Sequence, residues 1–118
     1  MKKIIIKKSD TLSGSVVCSG SKNAALPILA ACILTKGVTN LKNVPKLTDI
    51  DNMVSILKEL GGKCERKKDS LSIDFTNCGS FYAPYERVSK FRGSFLLAAP
   101  LLARMGKARI PMPGGCPI

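Results

Sequence analysis

Residues 19–34 read SGSKNAALPILAACIL, a polar start followed by an apolar run. Alanine and leucine dominate from Ala24 to Leu34, so this stretch predicts a helix. Gly37 follows as a helix-stop residue. Because the predicted helix is apolar on all sides, we expect it to lie in the interior of a domain.

Short strand patterns and a second helix surround this stretch. The second helix is predicted from Thr48 to Leu60, because apolar residues recur there at three- and four-residue spacing. The predicted strands are Lys3–Lys7, Ser15–Ser19, Val38–Leu41, Lys63–Lys67 and Leu71–Phe75. The resulting order is that of a βαβαββ unit, and the predicted fold class is α+β.

The pattern begins again after Pro84. The elements predicted there are a short helix over Tyr85–Lys90, a second apolar helix over Arg92–Ala103 with Gly106 as its stop, and a strand over Lys107–Ile110. Pro100 should kink the second apolar helix or move its start, because proline removes a helical hydrogen bond. A shift of 69 residues places Gly37 on Gly106 and superimposes the two apolar helices. We therefore predict a duplicated unit, with residues 22–90 as the first βαβαββ repeat and residues 91–118 as a truncated second repeat.

Composition excludes several kinds of site. The 118-residue chain has no histidine, which rules out Ser-His-Asp and Cys-His catalysis and Cys₂His₂ zinc sites within it. Its five cysteines form no CxxC pair, so zinc ribbons and thioredoxin motifs are excluded, and free cytosolic thiols are expected. No signal peptide is visible, and the longest apolar run, Ala24–Leu34, is shorter than the roughly 20 residues of a membrane span. We expect a cytoplasmic protein that does not enter membranes.

The charge points to an anionic partner. Lysine and arginine number 19 against 8 acidic residues, a net charge of +11. Nucleic acid, anionic lipid and small phosphorylated substrates are all compatible with that sign. Because the lysine-rich segments contain almost no aromatic residues on which bases could stack, nucleic acid is the less favoured partner.

Two cations occupy unusual positions. Lys22 and Arg92 each lie where an apolar helix is predicted to begin, and a cation there opposes the helix dipole. An anion bound between the cation and the free N–H groups of the helix would remove that conflict. Asn23 adds an uncharged donor beside Lys22. The alternative is that both cations point into water.

Cys116 lies in a loop that reads PGGCP over residues 113–117. The glycines allow the backbone to approach a ligand closely. A thiol among cations has its thiolate form favoured, which makes it a candidate nucleophile or acid. The other four cysteines are expected to pack as small apolar residues.

The run SGSKNAALPIL at residues 19–29 and the run PGGC at residues 113–116 resemble the UDP-N-acetylglucosamine 1-carboxyvinyltransferases. The resemblance covers the whole chain and includes NVPKLTDI at residues 43–50. It implies repeated βαβαββ units of an inside-out α/β barrel, the alpha-beta prism, present here in incomplete form. It also implies transfer of the enolpyruvyl group of phosphoenolpyruvate to the 3′-hydroxyl of UDP-N-acetylglucosamine, a step of peptidoglycan synthesis that needs no metal and no cofactor.

Position by position, the resemblance implies a role for each candidate site residue. Lys22 and Asn23 match the pair that binds phosphoenolpyruvate, and Arg92 matches an arginine that contacts the UDP-sugar. Cys116 matches the cysteine that acts as general acid, can form a covalent adduct with phosphoenolpyruvate and is alkylated by fosfomycin.

Relatives in this family are several times longer. We therefore expect residues 1–118 to be the N-terminal part of such an enzyme, inactive without its C-terminal part. Residues 1–21 are then strands that belong with a second domain. A shikimate-pathway enolpyruvyl transferase and a non-catalytic basic module that binds nucleic acid or an acidic partner stay open as alternatives.

Overall fold

The computed structural model describes residues 2–114. The elements are α1 (Lys22–Ala31) with a 3₁₀ turn (Cys32–Leu34), β1 (Val38–Leu41), α2 (Thr48–Glu59), β2 (Lys63–Lys67), β3 (Ser70–Asp74), α3 (Tyr85–Val88), a 3₁₀ helix (Arg92–Leu97) and α4 (Ala98–Met105). This mixed α and β composition confirms the α+β class. The predicted strand bounds agree with β1 and β2 and differ by one residue for β3.

The three strands form one antiparallel sheet in the order β1-β3-β2. Leu41 on β1 and Arg66 on β2 both pair with Leu71 on the central strand. Leu71 and Ile73 are buried, whereas Ser70, Ser72 and Asp74, which alternate with them, are partly exposed, as expected of a sheet with one solvated face.

Helix α2 buries its apolar stripe in the same core as the sheet. The buried residues of α2 are Ile50, Met53, Ile56 and Leu57. Gly62 follows the helix, and a Cβ there would come within 2.7 Å of the Phe75 ring and 2.9 Å of the Leu57 carbonyl oxygen. A glycine is therefore required for this close approach between the end of α2 and the end of the sheet.

The two apolar helices are buried on one face only, which corrects the expectation of fully interior helices. In α1, Leu26 and Leu29 are buried, whereas Ile28 and the following Leu34 are exposed. In α4, Leu101 is buried and Leu102 is exposed. The exposed faces meet in an apolar groove whose lining includes Pro27, Ala31, Ala99 and Ala103. In the described part of the chain this groove is open to solvent, since Leu34 and Leu96 in its lining are exposed.

The second apolar helix begins later than predicted. A 3₁₀ helix occupies residues 92–97, and the α-helix starts at Ala98. Pro100 is then the third residue of α4, where the N–H that proline lacks would have no helical partner in any case. This confirms that Pro100 moves the start of the helix. Gly106 ends α4 in the left-handed region at φ 71°, as its position predicted.

The predicted strands at Lys3–Lys7 and Ser15–Ser19 are not formed within the described residues. Residues 2–19 contain no regular element and are exposed. An isoleucine run bounded by lysines favours a strand at Lys3–Lys7, but a strand forms only when its backbone groups pair with a neighbour. No neighbouring strand lies beside this segment in the described part of the chain. The strand predicted over Lys107–Ile110 is similarly reduced to one parallel bridge between Tyr82 and Arg109.

Judged by length and hydropathy, the helices within residues 2–114 all fall short of what a membrane span requires.

Candidate functional site

An open cavity of about 700 Å³ lies where the beginnings of α1, α2 and the 3₁₀ helix meet. Its polar and charged lining residues are Lys22, Asn23, Asp49 and Arg92. Its apolar lining comes mainly from Leu26, Phe91, Phe95 and Leu96. The cavity therefore joins a charged end to an apolar wall, an arrangement suited to an anionic organic ligand.

Lys22 is the first residue of α1, as predicted. Ser21 caps the helix, and its Oγ accepts a hydrogen bond from the Ala24 N–H at 3.3 Å. Gly20 packs so closely on the neighbouring loop that a Cβ there would overlap the carbonyl oxygen of Asn43. This contact fixes the chain just before the helix and hence the position of Lys22.

Arg92 begins the 3₁₀ helix on the other side of the cavity. Gly93 lets this segment approach α1, since a Cβ at Gly93 would lie 2.9 Å from Leu26 Cδ1 and from the Phe91 ring. The hydroxyl of the fully buried Ser94 lies 2.7 Å from the Phe91 carbonyl oxygen and 3.1 Å from that of Val88. Ser94 thus ties the 3₁₀ helix, which Arg92 begins, to the end of α3.

Sequence reasoning missed one residue of this cavity. Asp49 lies in the first turn of α2, where the sequence suggests only a favourable interaction with the helix dipole. In the structure its Oδ2 accepts a hydrogen bond from Lys22 Nζ at 3.0 Å, across 27 residues of sequence. No spacing rule relates residues so far apart, so the pair is visible only in three dimensions.

Three of the four predicted site residues lie together in the structure. Lys22, Asn23 and Arg92 share one cavity. Cys116 lies outside the described residues, and its position relative to the cavity stays a prediction. Pro113, three residues earlier in the chain, lines the cavity.

The four described cysteines differ in their surroundings. All are free thiols; Cys18 is exposed, Cys32 is buried, and Cys64 and Cys78 are partly buried. Burial raises the pKa of Cys32. Burial also raises the pKa of Cys64 from an ordinary 9.0 to about 11, against the opposing effect of the Lys58 charge. The fold therefore favours the neutral Cys64 thiol, and this contribution to stability is complete below pH 9.0 and is lost as the pH rises towards 11.

These surroundings predict an order of thiol reactivity. At pH 8, iodoacetamide should modify the exposed Cys18 first and Cys64 about 100-fold more slowly, because a pKa near 11 leaves few thiolates. Peptide mass spectrometry at successive times measures the order. Unfolding in guanidinium is the control and should make the rates equal. Faster modification of Cys64 than of Cys18 in the folded protein would contradict the assignment.

A protein-family model matches nearly the whole chain. The family model described as EPSP synthase (3-phosphoshikimate 1-carboxyvinyltransferase) matches residues 6–118. The chain belongs to this family. The match includes Lys22, Asn23, Asp49 and Arg92, so the whole described cavity lies within the EPSP synthase family segment.

Curated relatives within the EPSP synthase family make the resemblance more specific. The chain is 49% identical over 118 residues to UDP-N-acetylglucosamine 1-carboxyvinyltransferase 2 of Carboxydothermus hydrogenoformans. It is 45% identical over 118 residues to UDP-N-acetylglucosamine 1-carboxyvinyltransferase of Desulfosudis oleivorans. In both cases 100% of this chain is covered and it spans 28% of the relative's length. The resemblance inferred from the sequence motifs is confirmed.

One solved structure supports the fold. The chain is similar to the crystal structure of the enolpyruvyl transferase NikO from Streptomyces tendae, with a TM-score of 0.72 and 23% sequence identity. The similarity covers 80% of this chain and 22% of that chain. The described residues therefore share the fold of part of that enolpyruvyl transferase.

Proposed function

We propose that this chain supplies the phosphoenolpyruvate-binding portion of a UDP-N-acetylglucosamine 1-carboxyvinyltransferase. The observation that carries the proposal is the convergence of Lys22, Asn23 and Arg92 on one cavity. The names of the curated relatives support the choice of substrates.

The charges in the cavity suit these substrates. Phosphoenolpyruvate and UDP-N-acetylglucosamine are both anions, and each would meet a cation at the start of a helix. The Ser21 hydroxyl caps only the Ala24 N–H group. The N–H groups of Lys22 and Asn23 have no acceptor among the described residues. These two donors and the Lys22 ammonium form the kind of site in which a helix start binds phosphate or carboxylate.

The chemistry follows from the roles that we assign. The 3′-hydroxyl of the sugar loses its proton to a base that the C-terminal part of the enzyme would supply, and its oxygen bonds to C2 of phosphoenolpyruvate. Cys116 donates a proton to the methylene carbon C3, which gives a tetrahedral addition product and a Cys116 thiolate. The bond from C2 to the phosphate oxygen then breaks, the thiolate takes a proton back from C3, and phosphate is released. Cations placed beside the phosphate stabilise the charge of the leaving group. A thiol is suited to the acid role because its pKa lies close to the working pH.

We also assign residues 22–90 to the first repeat of an incomplete alpha-beta prism, residues 91–118 to the second, and residues 1–21 to strands that pair with another domain. The exposed groove between α1 and α4 supports this assignment, because an interior helix of such a barrel needs cover on both sides. The four free thiols support a cytoplasmic location. The remaining contacts to the substrates would come from the C-terminal part of the enzyme.

The test uses a chimera, in which residues 1–118 replace the matching segment of the Carboxydothermus hydrogenoformans relative. Cys18 is changed to serine to remove the exposed thiol described above. We expect phosphate release that requires both substrates, together with inactivation by fosfomycin through a single adduct on Cys116. Cys116→Ser should abolish the adduct.

Two results would contradict the proposal. An adduct on another cysteine, with Cys116 unmodified, would remove Cys116 from the mechanism. Phosphate release with shikimate 3-phosphate in place of the UDP-sugar would assign the shikimate-pathway reaction instead, the reaction after which the family model is described.

A further inference from the structure

The ion pair between Lys22 and Asp49 needs an explanation beyond stability. The Nζ–Oδ2 distance is 3.0 Å, and the two side chains are 47% and 32% exposed. A pair this open to water contributes little to the free energy of folding, because solvent screens the attraction and ordering two flexible side chains costs entropy. The same chain holds a matched pair, Arg87 with Glu59, also at 3.0 Å and with 41% and 43% exposure.

The Lys22–Asp49 pair differs from the Arg87–Glu59 pair in its location. Lys22 and Asp49 both line the cavity, whereas Arg87 and Glu59 do not. Asp49 is the one acidic residue in the described lining, and Arg92 is the second cation there. A carboxylate lowers the affinity of such a site for anions, so its presence beside the lysine proposed to bind the anion requires a compensating benefit.

We infer that Asp49 is a positioning residue that holds the Lys22 ammonium at the cavity wall for the bound phosphoenolpyruvate. This inference rests on the proposed function. Lysine carries its charge on a flexible four-carbon chain. The start of α1 and the Arg92 charge both repel that ammonium, so without a partner it would turn into solvent. Asp49 is itself held in place, because a carboxylate in the first turn of α2 is favoured by that helix's dipole.

The geometry leaves Lys22 able to bind substrate while paired. An ammonium has three N–H donors, and Asp49 accepts one of them. Two donors stay available for oxygens of an anionic ligand in the cavity. Asp49 acts through Lys22, so its effect should appear in the rate of reaction more than in the affinity for phosphoenolpyruvate.

The test compares three variants of the chimera with its parent form. Asp49→Asn removes the charge and keeps the shape. Asp51→Asn removes the other first-turn carboxylate of α2, which lies 3.8 Å from Arg66 and outside the described lining of the cavity. Glu59→Gln breaks the matched ion pair. Each is assayed for kcat, for KM of phosphoenolpyruvate, and for its melting temperature.

For Asp49→Asn we expect kcat to fall by about tenfold or more, since small displacements of a substrate-contacting group cost this much. The KM for phosphoenolpyruvate should rise by no more than a few-fold, because Lys22 keeps its charge and the repelling carboxylate has left the cavity. The melting temperature should match that of Glu59→Gln. Asp49→Glu should recover part of the rate. Both control variants should keep the parent kcat.

The outcomes separate the two proposals. If the parent chimera turns over and Asp49→Asn keeps the parent kcat, the positioning role is wrong and the proposed function stands. If the melting temperature of Asp49→Asn falls well below that of Glu59→Gln together with kcat, Asp49 is only structural and the inference is again overturned. If the parent chimera neither releases phosphate nor binds phosphoenolpyruvate in a calorimeter, the proposed function fails and the positioning role fails with it.

Discussion

Replacing Lys22 by alanine is expected to weaken phosphoenolpyruvate binding to the chimera by about 100-fold, or roughly 2.7 kcal/mol. The loss has two sources. The ammonium no longer donates charge-assisted hydrogen bonds to the ligand, at about 1.5–3 kcal/mol for such bonds. The Asp49 carboxylate is also left in the cavity without its partner and repels the anion. Isothermal titration calorimetry measures the change.

Two further variants sharpen this test. Lys36→Ala removes an exposed lysine outside the described lining of the cavity and should leave binding unchanged. Lys22→Arg keeps the charge but replaces a point charge by a planar group, so binding should be intermediate. The melting temperature of Lys22→Ala should stay near that of the parent, since Lys22 is half-exposed. Binding within about twofold of the parent would remove Lys22 from the site.

Replacing Arg104 by alanine is expected to lower the free energy of unfolding by about 3 kcal/mol and the melting temperature by about 10 °C. The Arg104 guanidinium donates to the carbonyl oxygens of Ile33 at 2.6 Å and Thr35 at 3.0 Å. It also donates to those of Phe75 at 2.6 Å and Thr76 at 3.2 Å. One side chain on α4 therefore joins the end of α1 to the end of β3, and its loss leaves carbonyl groups without donors.

Circular dichroism of the 118-residue chain on heating measures this effect. Arg104→Lys should recover less than half of the loss, because an ammonium cannot reach both sets of carbonyls with the geometry of a guanidinium. Arg87→Ala is the matched control, since it removes an exposed arginine that makes a single ion pair, and should cost less than about 1 kcal/mol. Equal losses of unfolding free energy for the Arg104→Ala and Arg87→Ala variants would show that the four carbonyl contacts add no more stability than one exposed ion pair.

Elements held together by local interactions were predictable. Helix α2 follows from its apolar spacing and two acidic residues in its first turn, and the left-handed Gly106 ends α4 where a glycine was expected. The hairpin of β2 and β3 follows from two strand patterns on either side of a short polar turn.

Elements that depend on a partner far away in the chain could not be predicted from the sequence. Residues 3–7 have a strand pattern as strong as that of β2, yet only β2 has a neighbouring strand in the described chain. The lack of a partner therefore overrides the local preference of residues 3–7. The 3₁₀ conformation of Arg92–Leu97 was not predicted either, although a shifted start of α4 was one of the two effects expected of Pro100.

The sequence by itself determined that cations lie at the starts of two helices. It also determined the family to which the chain is related. Both are properties of short runs of residues. Only the tertiary structure brought Lys22 and Arg92, 70 positions apart, to one cavity and placed the Asp49 carboxylate beside Lys22. The physical reason is that helix formation is decided within a few residues, whereas the meeting of helix starts is decided by which apolar faces are buried together. Burial of Leu26, Leu57 and Leu97 in one core is what draws the three helix starts to a common site.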